Sequence, residues 1–196
     1  MEKNLKSSKE QVISMIYGHG RGWSFSKSDF IQNMNAENVT KALSTLANEK
    51  KIRRIDRGLY DYPKYSELLQ QTLSPDMDQV AQALARKFNW RIQVSGDSAL
   101  NLLGLSTQVP GRYIYLSDGP NRTYEILGIT LEFQKSTLKE AGFKYPISSL
   151  LVQAIKALGK DRITDKVINE FKTKIDTKMY TKILNDTSSA TTWVYE

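Results

Sequence analysis

The chain has 196 residues, 40% hydrophobic and 25% charged, with a formal net charge of +7, no cysteine and one histidine, His19. This length suits one medium domain or two small ones, and the balance is that of a folded protein rather than a disordered one. The absence of cysteine excludes disulfides, thiolate metal sites and a cysteine nucleophile, and a lone histidine is poor support for a zinc site or a Ser-His-Asp triad.

No window approaches about 18 uninterrupted apolar residues, so no membrane span is expected. The opening MEKNLKSSKEQ has no apolar run of the kind a secretory signal needs, and a cytoplasmic location is the expectation. Residues 1–64 hold 12 Lys/Arg against 7 Asp/Glu, whereas residues 65–196 hold 16 against 14. The positive excess thus falls in the first third of the chain, a pattern that suits a polyanionic partner.

In chain order, Ser7 or Ser8 can cap a helix in which Val12, Ile13, Ile16 and Tyr17 form one stripe. GHGRG ends it, with His19 read as part of a turn. SFSKSDF offers a second start, with Ser26 as cap and Asp29 at the third helical position, for a short helix ending near Asn33. Asn35 caps a third helix whose apolar face is Val39, Ala42, Leu43 and Leu46. Its opposite face carries Glu37, Thr40, Lys41, Ser44, Thr45 and Asn48. KIRRIDRGLYDY then reads as a hairpin turning at IDRG.

Helix, short helix, amphipathic helix and basic hairpin, in that order, predict a winged helix-turn-helix over residues 1–64. The third helix would enter a major groove and the hairpin arginines would meet phosphates. The plainer alternative is a protein–protein adaptor whose Lys and Arg blunt an edge strand.

Residues 65–73 read as a connection. A second domain, 74–196, opens with a helix for which Ser74 is the expected cap and Pro75 the first residue, with Met77, Val80, Ala81, Leu84, Ala85 and Phe88 as its stripe. RIQV, RYIYLS, RTYEIL and ITLEFQ read as strands, and SALNLLGL as a short helix. The rest is helical, led by Ile147, Leu150, Leu151, Ala154, Ile155 and Leu158. The fold class expected is α+β: a winged helix-turn-helix followed by a small mixed α/β domain with C-terminal helices.

Asp97 and Asp118 are the carboxylates that would matter to a metal-dependent phosphoryl-transfer site, but Asp97 also suits a helix start and DGPN is ordinary turn chemistry for Asp118. No phosphate-binding loop of the GxxxxGK[ST] kind occurs. Tyr113, Tyr115 and Tyr124 read as packing rather than as a base-stacking platform. No catalytic residue, metal or cofactor is expected.

GRGWSFSKSDF, IRRIDRGLYDYP, LSPDMDQVAQALARK, SGDSALNLLGLSTQVP, YIYLSDGPNR and LVQAIKALGKDRI together resemble the AbiEi-like antitoxins of type IV toxin–antitoxin and abortive-infection systems. The resemblance runs from about Gly20 to Leu184, and TSSATTWVYE follows the pattern only loosely. It implies a DNA-binding N-terminal domain that represses its own promoter at inverted repeats. It also implies a C-terminal antitoxin domain that counteracts a nucleotidyltransferase-like toxin, with or without direct contact. Carried over by position, the DNA-contacting set is Thr40, Lys41, Ser44 and Thr45 of the third helix and Arg53, Arg54 and Arg57 of the wing, and Lys27 is a further DNA-binding candidate. Arg112, Arg122, Lys160 and Arg162 are the basic side chains available for an antitoxin surface.

Overall fold

The computed structural model describes residues 7–106, 111–135 and 143–196. The quoted stretch ending in STQVP therefore lies partly outside the described residues, at 107–110. Helices and strands mix in an α+β arrangement, divided into two compact units, 1–90 and 91–196.

In the first unit, α1 (Ser8–His19) begins at a capping box: Ser7 accepts from the Glu10 N–H while the Glu10 carboxylate accepts from the Ser7 N–H. Val12 and Ile16 are fully buried, whereas Tyr17 faces outward and meets the Tyr62 ring. His19 is the last helical residue, its ring stacked on Trp23 at 3.8 Å.

The expected helix from Ser26 to Asn33 is one 3-10 turn, Lys27–Asp29. Its box is present, with Asp29 accepting the Ser26 N–H at 2.8 Å. At Phe30 the backbone leaves helical geometry (φ −121°), and the buried ring sits edge-on to Phe25 at 5.7 Å. Core packing overrides continuation of the helix here. Asn35 then caps α2 (Ala36–Asn48) by accepting from the Glu37 and Asn38 N–H groups. Val39, Ala42, Leu43 and Leu46 are buried, as the spacing requires.

Strands β1 (Ser24–Ser26), β2 (Arg53–Asp56) and β3 (Leu59–Asp61) form an antiparallel sheet in the order β1-β3-β2. A register shift between Arg54 and Asp56 bulges β2 at Ile55, and Gly58 takes a positive φ of 69° in the turn to β3.

The expected connection contains a second hairpin, β4 (Tyr65–Ser66) paired with β5 (Gln71–Thr72). Helix α3 (Met77–Phe88) is capped by Asp76 rather than Ser74, because the Asp76 carboxylate accepts both the Asp78 and Gln79 N–H groups. This helix belongs to the first unit. Its Arg86 reaches the Asp29 carboxylate at 2.5 Å and the Ser24 carbonyl at 2.9 Å. The compact units thus divide after Trp90, not across residues 65–73.

That boundary changes the charge reading. Residues 1–90 hold 14 Lys/Arg and 10 Asp/Glu, and residues 91–196 hold 14 and 11. The excess is nearly even between the units, so what distinguishes them is which cations are paired.

The second unit is built on a sheet of β6 (Ile92–Val94), β7 (Arg112–Ser117), β8 (Arg122–Ile126) and β9 (Ile129–Lys135), ordered β6-β7-β9-β8. Only β7 and β9 run parallel. The β8–β9 turn uses Leu127 and Gly128, both at positive φ. Tyr115 and Tyr124 pack on Phe133, each with ring centroids 5.9 Å away. Helix α4 (Gly96–Leu102) meets α5 (Pro146–Leu158) so closely that a Cβ on Gly96 would lie 2.7 Å from the Ala157 Cβ. Helices α6 (Asp165–Lys174), α7 (Tyr180–Asp186) and α8 (Thr192–Tyr195) follow. The Asp186 carboxylate accepts the N–H groups of Lys144 and Tyr145 and so ties α7 to the start of α5.

Candidate nucleic-acid interface

Helix α2 carries two faces of opposite character. Once Val39, Ala42, Leu43 and Leu46 enter the core, the 100° step per residue turns Glu37, Thr40, Lys41, Ser44, Thr45 and Asn48 outward, and all six are exposed. Thr40 donates its hydroxyl to the Ala36 carbonyl at 2.9 Å, which leaves its oxygen lone pairs to accept. Lys41, Ser44, Thr45 and the Asn48 amide are then the donors of this face. Glu37, in the first turn, is its one carboxylate; it suits the helix dipole and would accept from a base amine, but it repels phosphate.

The hairpin sorts its basic residues sharply. Arg53 and Asp61 are directly opposite on β2 and β3. The guanidinium grips the carboxylate through two bonds, Nε at 3.0 Å and Nη2 at 2.5 Å. Asp61 is 2% exposed and Arg53 26%. Burying a carboxylate in a small sheet demands a charged partner, and Arg53 is that partner. Of the hairpin arginines expected to contact DNA, Arg53 is thus the one whose guanidinium is already engaged within the sheet, by Asp61. Lys51, also basic and nearby, pairs with Glu49 at 3.1 Å, and Lys9 of α1 binds the other oxygen of the same carboxylate. The Lys9 and then the Lys51 hydrogen bond hold the Glu49 carboxyl below the usual range.

Arg54 and Arg57 differ from Arg53. Both are exposed, and among the described residues neither enters an ion pair; the same holds for Lys27 and Lys41. Arg54 makes only a long bond (3.4 Å) to the Asp56 carbonyl. Four uncompensated cations therefore lie on the 3-10 turn, α2 and the hairpin.

One contributor was not legible from local pattern. Lys87, near the end of α3, donates to the Arg57 carbonyl at 3.3 Å, which places a further ammonium group at the hairpin turn. Finding it in the sequence would have required knowing that α3 packs within the first unit.

The basic residues of the second unit are not brought to one place. Arg112 pairs with Glu132 at 3.9 Å. Arg122 lies across β9 from Arg112, opposite Phe133 where Arg112 is opposite Thr130. Arg162 donates to the Ala157 and Leu158 carbonyls and so closes the C-terminal end of α5. Lys160 is exposed in the 3-10 turn just before it. Asp118 is held by Arg91, whose side chain at 2.9 Å and backbone N–H at 2.8 Å keep its carboxyl below the usual range. Asp97 stands exposed in the first turn of α4.

Residues 11–183 match the model of a family described as a family of unknown function, DUF6088. The chain belongs to that family. No curated protein matches it. The family description names no activity. Among the described residues no helix is long and apolar enough to cross a membrane.

Proposed function

We propose that this chain is a DNA-binding transcriptional autorepressor that also acts as the antitoxin of a type IV toxin–antitoxin system, countering a nucleotidyltransferase-like toxin from the cytoplasm without catalysis of its own. What supports the DNA-binding half is an exposed polar helix face together with four exposed cations, Lys27, Lys41, Arg54 and Arg57, that enter no ion pair among the described residues. The order α1, β1, 3-10 turn, α2, β2, β3 supports reading α2 as the recognition helix and β2–β3 as the wing of a winged helix-turn-helix. On this reading Thr40, Ser44 and Thr45 face base edges, and Lys27, Lys41, Arg54 and Arg57 hold phosphates. The antitoxin half is supported by the resemblance described above. A regulator of the same architecture acting without a toxin partner is the runner-up.

Anisotropy titrations of the full chain against a duplex from its own promoter test the first half. Four phosphate contacts, from Lys27, Lys41, Arg54 and Arg57, give a slope of log affinity on log salt of about −3.6. The double variant Arg54→Ala/Arg57→Ala reduces that slope to about −1.8 and weakens binding alike on all sequences. A slope unchanged in the double variant would remove the wing from the interface. For the second half, the open reading frame beside the gene is expressed with and without this chain. Growth arrest relieved by the chain supports the antitoxin role, and arrest that persists counts against it.

A further inference from the structure

Two consecutive residues in the last turn of α3, Arg86 and Lys87, reach two different segments of the first unit. Each of those segments carries a cation that enters no ion pair among the described residues. Arg86 donates Nε to the Asp29 carboxylate at 2.5 Å and Nη2 to the Ser24 carbonyl at 2.9 Å. Asp29 closes the 3-10 turn that bears the exposed Lys27, and its other oxygen accepts the Ser26 N–H at 2.8 Å. One carboxylate thus ties the start and the end of that turn to α3. The contact is built into the fold: the Asp29 side chain is 7% exposed, and the Arg86 guanidinium lies 5.9 Å from the centre of the buried Trp23 ring. Lys87, about 100° further round the helix, donates to the Arg57 carbonyl at 3.3 Å. That carbonyl precedes Gly58, at φ +69°, so the bond holds the piece of turn backbone from which Arg57 projects.

A lysine or arginine that meets a phosphate gives up conformational freedom, and it gives up less where its backbone is already held. Both contacts of α3 hold backbone in this way, yet neither supplies Lys27 or Arg57 with a counter-charge, so both head groups stay available. Arg86 also engages Asp29, a carboxylate two residues from Lys27 that would otherwise repel phosphate. We propose that α3 is a strut of the DNA-binding surface and that Arg86 and Lys87 are its positioning residues, Arg86 acting through Lys27 and Lys87 through Arg57. The inference rests on the DNA-binding reading and adds to it a helix from outside the winged helix-turn-helix set.

Anisotropy titrations of the full chain against its promoter duplex, over a range of salt, test it. Arg86→Ala and Asp29→Asn each weaken binding about fivefold. The two changes move the net charge in opposite directions, so a loss common to both comes from the released turn; a purely electrostatic role would make Asp29→Asn bind more tightly. Asparagine keeps an oxygen for the Ser26 N–H, so the local cap survives the second change. Lys87→Met costs a similar factor, and Lys87→Arg restores most of it. In all four the salt slope stays at about −3.6, since none removes a phosphate contact. In a Lys27→Ala background Arg86→Ala costs nothing further, and in Arg57→Ala neither does Lys87→Met. Unchanged affinity, additive losses, opposite effects of Arg86→Ala and Asp29→Asn, or a slope that flattens by about 0.9 in Lys87→Met would each overturn the strut while leaving DNA binding in place. A parent chain without salt-dependent binding overturns the DNA reading and the strut with it.

Discussion

Arg53 and Arg54 are neighbours in one strand, yet they have opposite duties. Arg53 is drawn inward by Asp61, a carboxylate almost sealed from water. Arg54, pointing to the other side of β2, has only a weak backbone contact and stays exposed. The second unit repeats the division with Arg162, which caps carbonyls at the end of α5, and Lys160, which pairs with no carboxylate among the described residues. In both units a cluster of basic letters conceals two functions, and the deciding factor is whether an acceptor lies within hydrogen-bond reach.

The sharpest way to break this comparison is to remove each arginine in turn. Arg53→Ala leaves Asp61 buried without its partner, at an expected cost of about 3 kcal/mol. That is the low end for breaking a buried pair, because water reaches the guanidinium side. Arg54→Ala is expected within about 0.5 kcal/mol of the parent. Chemical denaturation measures both. Equal losses would dissolve the distinction, as would a salt slope for DNA that flattens with Arg53→Ala as much as with Arg54→Ala.

The two units also differ in what their packing tolerates. In the second, Gly96 admits α5 at contact distance, so Gly96→Ala forces its new methyl against Ala157 and costs about 2 kcal/mol. Ala157→Gly in the same chain should return part of the loss, and no recovery would mean that α4 and α5 are not limited by that contact. In the first unit the comparable fastening is polar. Arg86→Ala releases Asp29 and the Ser24 carbonyl from α3, at about 1.5 kcal/mol, since the arginine is partly in water while Asp29 is not.

Much of this was legible where local chemistry and packing agree. The Asn35 cap and the four-residue apolar stripe of α2 need no tertiary information, and neither does the turn at Gly58. Other features depended on partners far along the chain. The Ser26–Asp29 box announced a helix, but burial of Phe30 stops it after one turn. The β4–β5 hairpin was missed because its positive-φ residue is Gln70 rather than Gly or Asn, so residues 65–72 carry no turn signature. Asp61 reads as one more polar letter in LYDYP, and nothing local says that it is buried opposite Arg53.

The smallest expected effect compares two exposed carboxylates, one in each unit. Lys9 and Lys51 hold Glu49 below its ordinary range, and Arg91 does the same for Asp118. A carboxyl whose pKa is depressed by folding stabilises the protein above its unfolded value, roughly 4 for these groups, and that contribution is lost as pH falls through the lower folded value. Unfolding midpoints should therefore drop on acidification from about pH 6 to about pH 3. Glu49→Gln and Asp118→Asn should each make the drop shallower by a small amount. Both pairs are open to solvent, so about 1 M salt should erase most of the difference between variant and parent. An acid response that persists undiminished in high salt and in both variants would locate it elsewhere. Asp186 is then the group to examine: burial opposes its ionisation, but the Lys144 and Tyr145 N–H groups it accepts from help to hold the carboxyl low, with hydrogen bonds that salt screens far less.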